Sequence, residues 1–149
     1  MPYLTGPILP GGPVLDLRVE VSSSHALALR QAGQPVPQGV ALRGLIDTGA
    51  DVTFVDARHL PFLTQQTPTM VIVSDPSGQG HTYAPQYEVS LTVLHPQGSR
   101  RSHLHFASIP VADKQLAAGL GYEVLVGRDI LDRCLFLCDG QARTFTLGY

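Results

Sequence analysis

Alternation of apolar and polar positions is the main pattern in this chain, and it predicts strands far more often than helices. Val14–Val21 alternates toward its end and reads as a strand. Ser22–Gln38 is polar and broken by Gly33, Pro35 and Pro37; the short Ala26–Leu29 run inside it reads as an extension of a hairpin. Gly39–Ile46 predicts a second strand running into Asp47, and Thr53–Val55 a short third. Asp56 is placed to cap a single helical turn over Ala57–Leu60, with Pro61 as its stop. Thr69–Val73 is apolar and β-branched, Ser74–Gly80 is dense in turn formers, and Tyr87–Leu94 alternates again. Together these predict a projecting hairpin whose tip includes Asp75. His95–Gly98 is a further turn, and His103–Val111 and Tyr122–Val126 are further strands. Arg128–Arg133 is the best helical segment, though short. Cys134–Leu137 and Arg143–Leu147 predict a last hairpin around Asp139-Gly140. Residues 1–13, rich in Pro and Gly, read as a flexible N-terminal arm, and residues 14–149 as a single domain.

Composition agrees with this picture and narrows it. The chain has 149 residues, 44% of them hydrophobic, enough for one domain with a real core. Gly and Pro make up 27 of the 149, so the chain is punctuated often, which favours short strands and turns. Net charge is −2, and Arg100-Arg101 is the only adjacent basic pair, so no basic field exists to hold a nucleic-acid backbone. No apolar stretch approaches the ~20 residues of a membrane-spanning helix. The first residues lack a basic and then apolar leader pattern, which argues against a signal peptide. Cys134 and Cys138 would lie ~13 Å apart on one strand, too far for a disulfide. They read as reduced, half-buried thiols, which points to a cytoplasmic protein.

Candidate chemistry concentrates in Leu45-Ile46-Asp47-Thr48-Gly49-Ala50-Asp51. An apolar strand delivers an acid into a tight turn of small residues. Gly49 removes a side chain where another backbone or a substrate comes close, and Thr48 offers a hydroxyl to fix the loop. Taken alone, Asp-Thr-Gly is a strand ending in an Asx-type turn. Three features shift the balance. Val124-Leu125-Val126-Gly127-Arg128-Asp129 is a second apolar segment ending at a glycine and opening a helix. The hairpin tip between the two segments is placed to cover a cleft. Asp51 and Arg128, opposite charges, each follow one of the motifs.

In this ordered set the chain resembles the retropepsin family, the retroviral-type aspartic proteases, over residues 14 to 147. The resemblance implies an all-β fold, a half-barrel with a flap hairpin and one short C-terminal helix. It implies Asp47 as the catalytic aspartate. Thr48 would lock two active-site loops together across subunits, and Gly49 would offer its carbonyl to bound peptide. Ala50 and Asp51 would line the cleft, with Asp51 paired to Arg128 and supported by Gly127. Ser77, Gly78, Gln79 and Gly80 would lie in the flap and meet substrate. The closing Cys134–Tyr149 hairpin resembles the cellular and bacterial branch, in which this region broadens a dimer interface. The implied activity is aspartic endopeptidase, with no cofactor or metal, acting on protein or peptide substrates. Because two carboxylates must share a proton and the chain has one Asp-Thr-Gly, the implied unit is a homodimer. The competing reading is a peptide-binding or assembly module that keeps the fold without turnover.

Other motifs carry plainer readings. His103-x-His105 puts two imidazoles on one strand face, a half-site for a metal that no Cys or carboxylate cluster completes. Gly119-Leu120-Gly121 lacks the third glycine and the helix of a dinucleotide loop. Gly78-Gln79-Gly80 lacks the lysine of a phosphate loop, and no Gly-x-Ser-x-Gly elbow occurs. Asp75, Asp129 and Asp132 read as turn or helix residues, with Asp129 favouring the start of the short helix.

Overall fold

The computed structural model describes residues 1–64, 66–74 and 77–149, and for Phe62 the backbone alone. Asp75 and Pro76, in the predicted hairpin tip, lie outside the described residues. Among the described residues ten strands dominate: β1 (Tyr3–Leu9), β2 (Gly12–Val21), β3 (Val40–Ile46), β4 (Phe54–Asp56), β5 (Thr69–Ser74), β6 (His81–Val93), β7 (Leu104–Lys114), β8 (Val124–Val126), β9 (Leu135–Asp139) and β10 (Thr144–Gly148). Three short helices join them: α1 (Ser23–Gln31), α2 (Leu60–Thr64) and α3 (Arg128–Leu131). No helix among the described residues is long and apolar enough to cross a membrane.

The sheet runs β5-β6-β7-β4-β8-β3-β2-β1-β10-β9, and a further pairing of β2 with β6 closes its middle into a six-stranded barrel. Alternation decides which side of each strand faces in. Leu15, Leu17, Val19 and Val21 of β2 are buried, while Asp16 is exposed and Arg18 and Glu20 are partly exposed. Leu15, Leu17 and Val19 meet Val89, Leu91, Val93, Val111, Val124 and Val126 in the barrel core, while Val21 packs with Ala26 and Leu29 of α1. β8 is buried on both faces: Val124 and Val126 join that core, while Leu125 joins a second cluster with Phe54, Ala84 and Ala112. A strand covered on both sides needs continuous rather than alternating apolar residues, and Val-Leu-Val supplies them.

Two extensions leave the barrel. The β5–β6 hairpin projects at one end of the sheet, with Ile72 opposite Tyr83 and Val73 opposite Thr82. At the other end lie β1, β10 and β9. Here the structure corrects the reading of residues 1–13: Tyr3–Leu9 is a strand, paired antiparallel with Thr144–Gly148 and turning into β2 at Gly12, whose φ is +120°. Gly6 makes that pairing close, since a Cβ there would stand 2.7 Å from the Phe145 ring.

Other local expectations change for similar reasons. Ser22–Gln38 holds the helix α1 rather than an extended hairpin. The Ser22 hydroxyl accepts the His25 N–H as N-cap, Ala26 and Leu29 are buried on one face, and Gly33 at φ +67° ends the run. Pro61 starts α2 instead of stopping a helix, because the first helical turn needs no N–H from it. Asp139-Gly140 belongs to a longer turn, in which Asp139 Oδ1 accepts the N–H groups of Gln141 and Ala142. Cys134 is half-buried as expected, but Cys138 is exposed.

Asp56 is fully buried at the end of β4. Its carboxylate accepts N–H groups from the Arg58 backbone, from Arg58 Nε at 2.8 Å and Nη2 at 3.1 Å, and from Leu116. Chiefly the Arg58 hydrogen bonds hold its pKa below the usual carboxylate range, against the opposing effect of burial. A depressed folded pKa contributes stability above the unfolded value, and that contribution is lost as pH falls through the folded one. Asp56→Ala is therefore expected to cost about 2–3 kcal/mol at neutral pH, less than for a fully buried pair because Arg58 reaches solvent. Chemical denaturation of both proteins as a function of pH checks this: the gap should close below about pH 4.

Candidate active site

The loop after β3 owes its shape to the strand that enters beside it. β8 pairs parallel with β3 (Ile46 opposite Val126) and antiparallel with β4 (Phe54 opposite Leu125). The Asp47–Thr53 loop must therefore pass over the end of β8, and the chain leaving β8 runs beneath it. Only glycine fits at that crossing. A Cβ on Gly127 would lie 2.5 Å from the backbone carbon and oxygen of Val52 and 3.0 Å from the Ala50 oxygen.

Hydrogen bonds then lock the two segments together. Asp47 N–H donates to Val126 O at 3.0 Å, Arg128 N–H to Ala50 O at 2.8 Å, and Asp129 N–H to Asp51 O at 3.2 Å. Thr53 is fully buried and binds in both directions: its N–H and hydroxyl donate to the Asp129 carboxylate, and its Oγ1 accepts the Gly127 N–H. Asp129 also accepts the N–H of Ile130. Its expected helix-start role is present, but the larger part of its bonding goes to Thr53.

Within the loop, Asp47 Oδ1 accepts the Gly49 N–H at 3.0 Å, and Ala50 N–H donates to Asp47 O. The turn aims a partly exposed carboxylate outward, with Thr48 and Gly49 exposed beside it. Arg128 donates through Nη2 to Asp51 Oδ1, joining the two charges that follow the motifs. Asp47, Thr48, Gly49, Ala50, Asp51 and Arg128 thus lie together, with Gly127 buried beneath them. Ser77, Gly78, Gln79 and Gly80 stand together at the exposed hairpin tip, with Gly78 at φ +70°.

The inner face of that hairpin reaches toward the loop. Val71, Val73 and Ala84 pack in one apolar cluster with Phe54, Leu125, Leu45, Ala50, Val52, Leu116 and Tyr122. Of this cluster only Ala50 was singled out from the sequence. Thr53 was also missed; its sequence signal is a hydroxyl residue entering an apolar strand just after the acid loop. His103 precedes β7 and its Nδ1 accepts the His95 N–H, while His105 Nδ1 meets the Thr92 hydroxyl. No group of three metal-binding side chains occurs among the described residues.

A closed six-stranded barrel, a projecting hairpin and an acid loop crossed by a Gly-Arg-Asp segment define an all-β fold of the retropepsin type. The sequence profile of the retroviral aspartyl protease family matches residues 12–137, and the chain belongs to that family. A search of curated proteins returned no match.

Because the crossing depends on a missing Cβ, Gly127→Ala is expected to destabilise the fold by roughly 3 kcal/mol. Gly140→Ala, where a Cβ meets nothing within 4 Å, should be close to neutral. Urea unfolding of the two variants beside the parent measures both.

Proposed function

We propose that this protein is an aspartic endopeptidase that works as a homodimer, with one Asp47 contributed by each chain. The observation that carries this reading is the acid loop: each chain holds one partly exposed Asp47, beside the exposed Thr48 and Gly49, on a loop supported from below by Gly127 and Thr53. One such carboxylate cannot both hold a proton and remove one from water. Two brought together can. Like charges at hydrogen-bonding range do not both ionise, so the pair keeps one proton between them. The ionised member takes a proton from a bound water as it attacks the scissile carbonyl carbon. The protonated member donates to the carbonyl oxygen. Collapse of the tetrahedral intermediate breaks the C–N bond, and a proton passes to the leaving amine.

The surrounding residues take supporting roles. Thr48 would join the two loops across a two-fold axis, and the Gly49 carbonyl would bind peptide backbone. Ala50 and Asp51 line the cleft, Arg128 holds Asp51, and Ser77–Gly80 close over an extended substrate. The apolar cluster around Phe54, Val71 and Leu125 favours apolar side chains beside the cleaved bond. A second chain has a surface to meet. On the outer face of β1, β10 and β9, Tyr3, Leu135 and Leu137 are 63%, 50% and 55% exposed. They flank the Thr5–Thr146 hydroxyl pair, and β9 is a free sheet edge.

Asp47→Asn should keep the melting temperature and the dimer but lower cleavage of a mixed peptide library by on the order of 10³-fold or more. Undiminished cleavage, or peptide binding without products in the parent, would overturn the enzyme reading. The parent's rate should follow a bell against pH, since the pair needs one shared proton rather than two or none. Leu137→Asp should leave each chain folded and weaken association at least about ten-fold, as measured by sedimentation equilibrium.

A further inference from the structure

Lys114 is the only lysine in the chain, and it ends β7 beside the wall that the acid loop and the hairpin share. The strand register brings it there. Leu45, Leu125, Phe54 and Ala112 stand opposite one another in turn across β3, β8, β4 and β7. All four lie in the apolar cluster that takes in Ala50 and Val52 of the acid loop and Val71 and Val73 of the hairpin. Alternate residues of a strand share a face, so Lys114 is on the side of Ala112, with Asp56 opposite it. The Lys114 ammonium lies over the Phe54 ring, 5.1 Å from its centroid. Phe54 is buried and Lys114 is exposed. The lysine stem covers the cluster while its charge stays at the rim.

The other charges along this edge are already engaged. Asp56 is buried and accepts from Arg58 and from the Leu116 N–H. Glu123, whose carbonyl accepts the Asp56 N–H, meets His59 Nε2 at 2.9 Å and Arg58 Nη2 at 3.8 Å. Arg43 reaches Asp16 at 3.9 Å. Asp113 precedes Lys114 and by alternation belongs to the other face of β7. Among the described residues, no carboxylate comes within 4.0 Å of the Lys114 ammonium. A ring face attracts a cation without neutralising it. An ammonium has three donors, so this one can meet a carboxylate without leaving the ring.

We propose that Lys114 is a specificity-determining residue, which selects peptides carrying an acidic side chain a short way from the cleaved bond. This rests on the reading of the apolar wall as one side of a peptide cleft. The row through Leu125 and Phe54 takes apolar side chains. Lys114 stands opposite Asp56, farther along β4 from the acid loop than Phe54, so the acidic residue lies outside the apolar ones. Glu suits the place: its methylenes can lie along the covered cluster while its carboxylate meets the ammonium. In a homodimer each chain brings one Lys114, so the preference falls on two positions, one on either side of the cleaved bond.

End-blocked peptides of Ala, Leu and Phe, carrying Glu or Gln at one scanned position, test this in two ways. Cleavage by the parent gives kcat/KM for each Glu/Gln pair. Fluorescence anisotropy gives the affinity of each labelled peptide for Asp47→Asn, which needs no turnover. Where Lys114 reads the peptide, Glu is expected to exceed Gln roughly five-fold in both measurements, through KM rather than kcat, and by less as salt rises. Lys114→Met keeps an apolar cover on Phe54 without the charge and should abolish the preference. Lys114→Arg should retain it, and Lys114→Glu should reverse it. A lysine that only covers Phe54 would leave the ratio unmoved in Lys114→Met. Equal values for Glu and Gln at every position, in peptides that the parent cleaves, overturn the proposal and leave the endopeptidase reading standing. So does a Glu preference that survives Lys114→Met. Preferential binding of Glu that Lys114→Met removes, with no cleavage by the parent, upholds the role of Lys114 and sinks the endopeptidase reading. Neither binding nor cleavage of any peptide sinks both.

Discussion

The entry of β8 between β3 and β4 is the constraint on which the rest of this molecule depends. These two strands are joined by only the Asp47–Thr53 loop, yet they do not pair with each other. A third strand, from far along the chain, lies between them and bonds to both. The loop is thereby stretched across the end of β8, and its conformation is held from beneath by Gly127, Arg128 and Asp129. A buried Thr53 that donates twice to one carboxylate and accepts once from a glycine amide makes this crossing a closed hydrogen-bond network. Such a network costs most when one member is lost, because the remaining buried groups have no water to turn to.

The barrel converts that local lock into a rigid platform. Closure through β2 and β6 removes free edges from its middle, so the exposed edges fall on β5 and β9. The first belongs to the projecting hairpin and the second to the terminal sheet. The acid loop lies on this platform, with Asp47 partly exposed and Thr48 and Gly49 exposed. Rigid support below and open surface above suit a carboxylate that works with a partner group. The charged residues divide along the same lines. Buried Asp56 is saturated by donors and serves the fold, whereas the exposed Asp51–Arg128 pair borders the loop and contributes little to stability.

Much of this was legible in the chain. The strands of the barrel follow from alternation, since one face of each meets the core and the other meets water. The acid loop was legible because Asp-Thr-Gly, the downstream Gly-Arg-Asp and the turn between them occur in order. Tyr3–Leu9 was not, because Pro and Gly in so short a segment resemble a loose arm. Its strand pairing comes from β10, more than a hundred residues away, and from the gap that Gly6 leaves for Phe145. Helix α1 was hidden for a different reason: its buried face is only Ala26 and Leu29, too small a stripe to stand out against polar neighbours.

What the sequence determined by itself is therefore the local state of most of the backbone and the position of the acid loop. Side-chain alternation, turn residues and a small-residue loop act over a few positions and need no distant partner. Only the tertiary structure decided what supports the acid. Thr53 and Asp129 stand 76 positions apart, and neither hydroxyl nor carboxylate signals its partner from within its own segment. Hydrogen bonds act over a few ångströms in space, whereas sequence patterns report only neighbours along the chain.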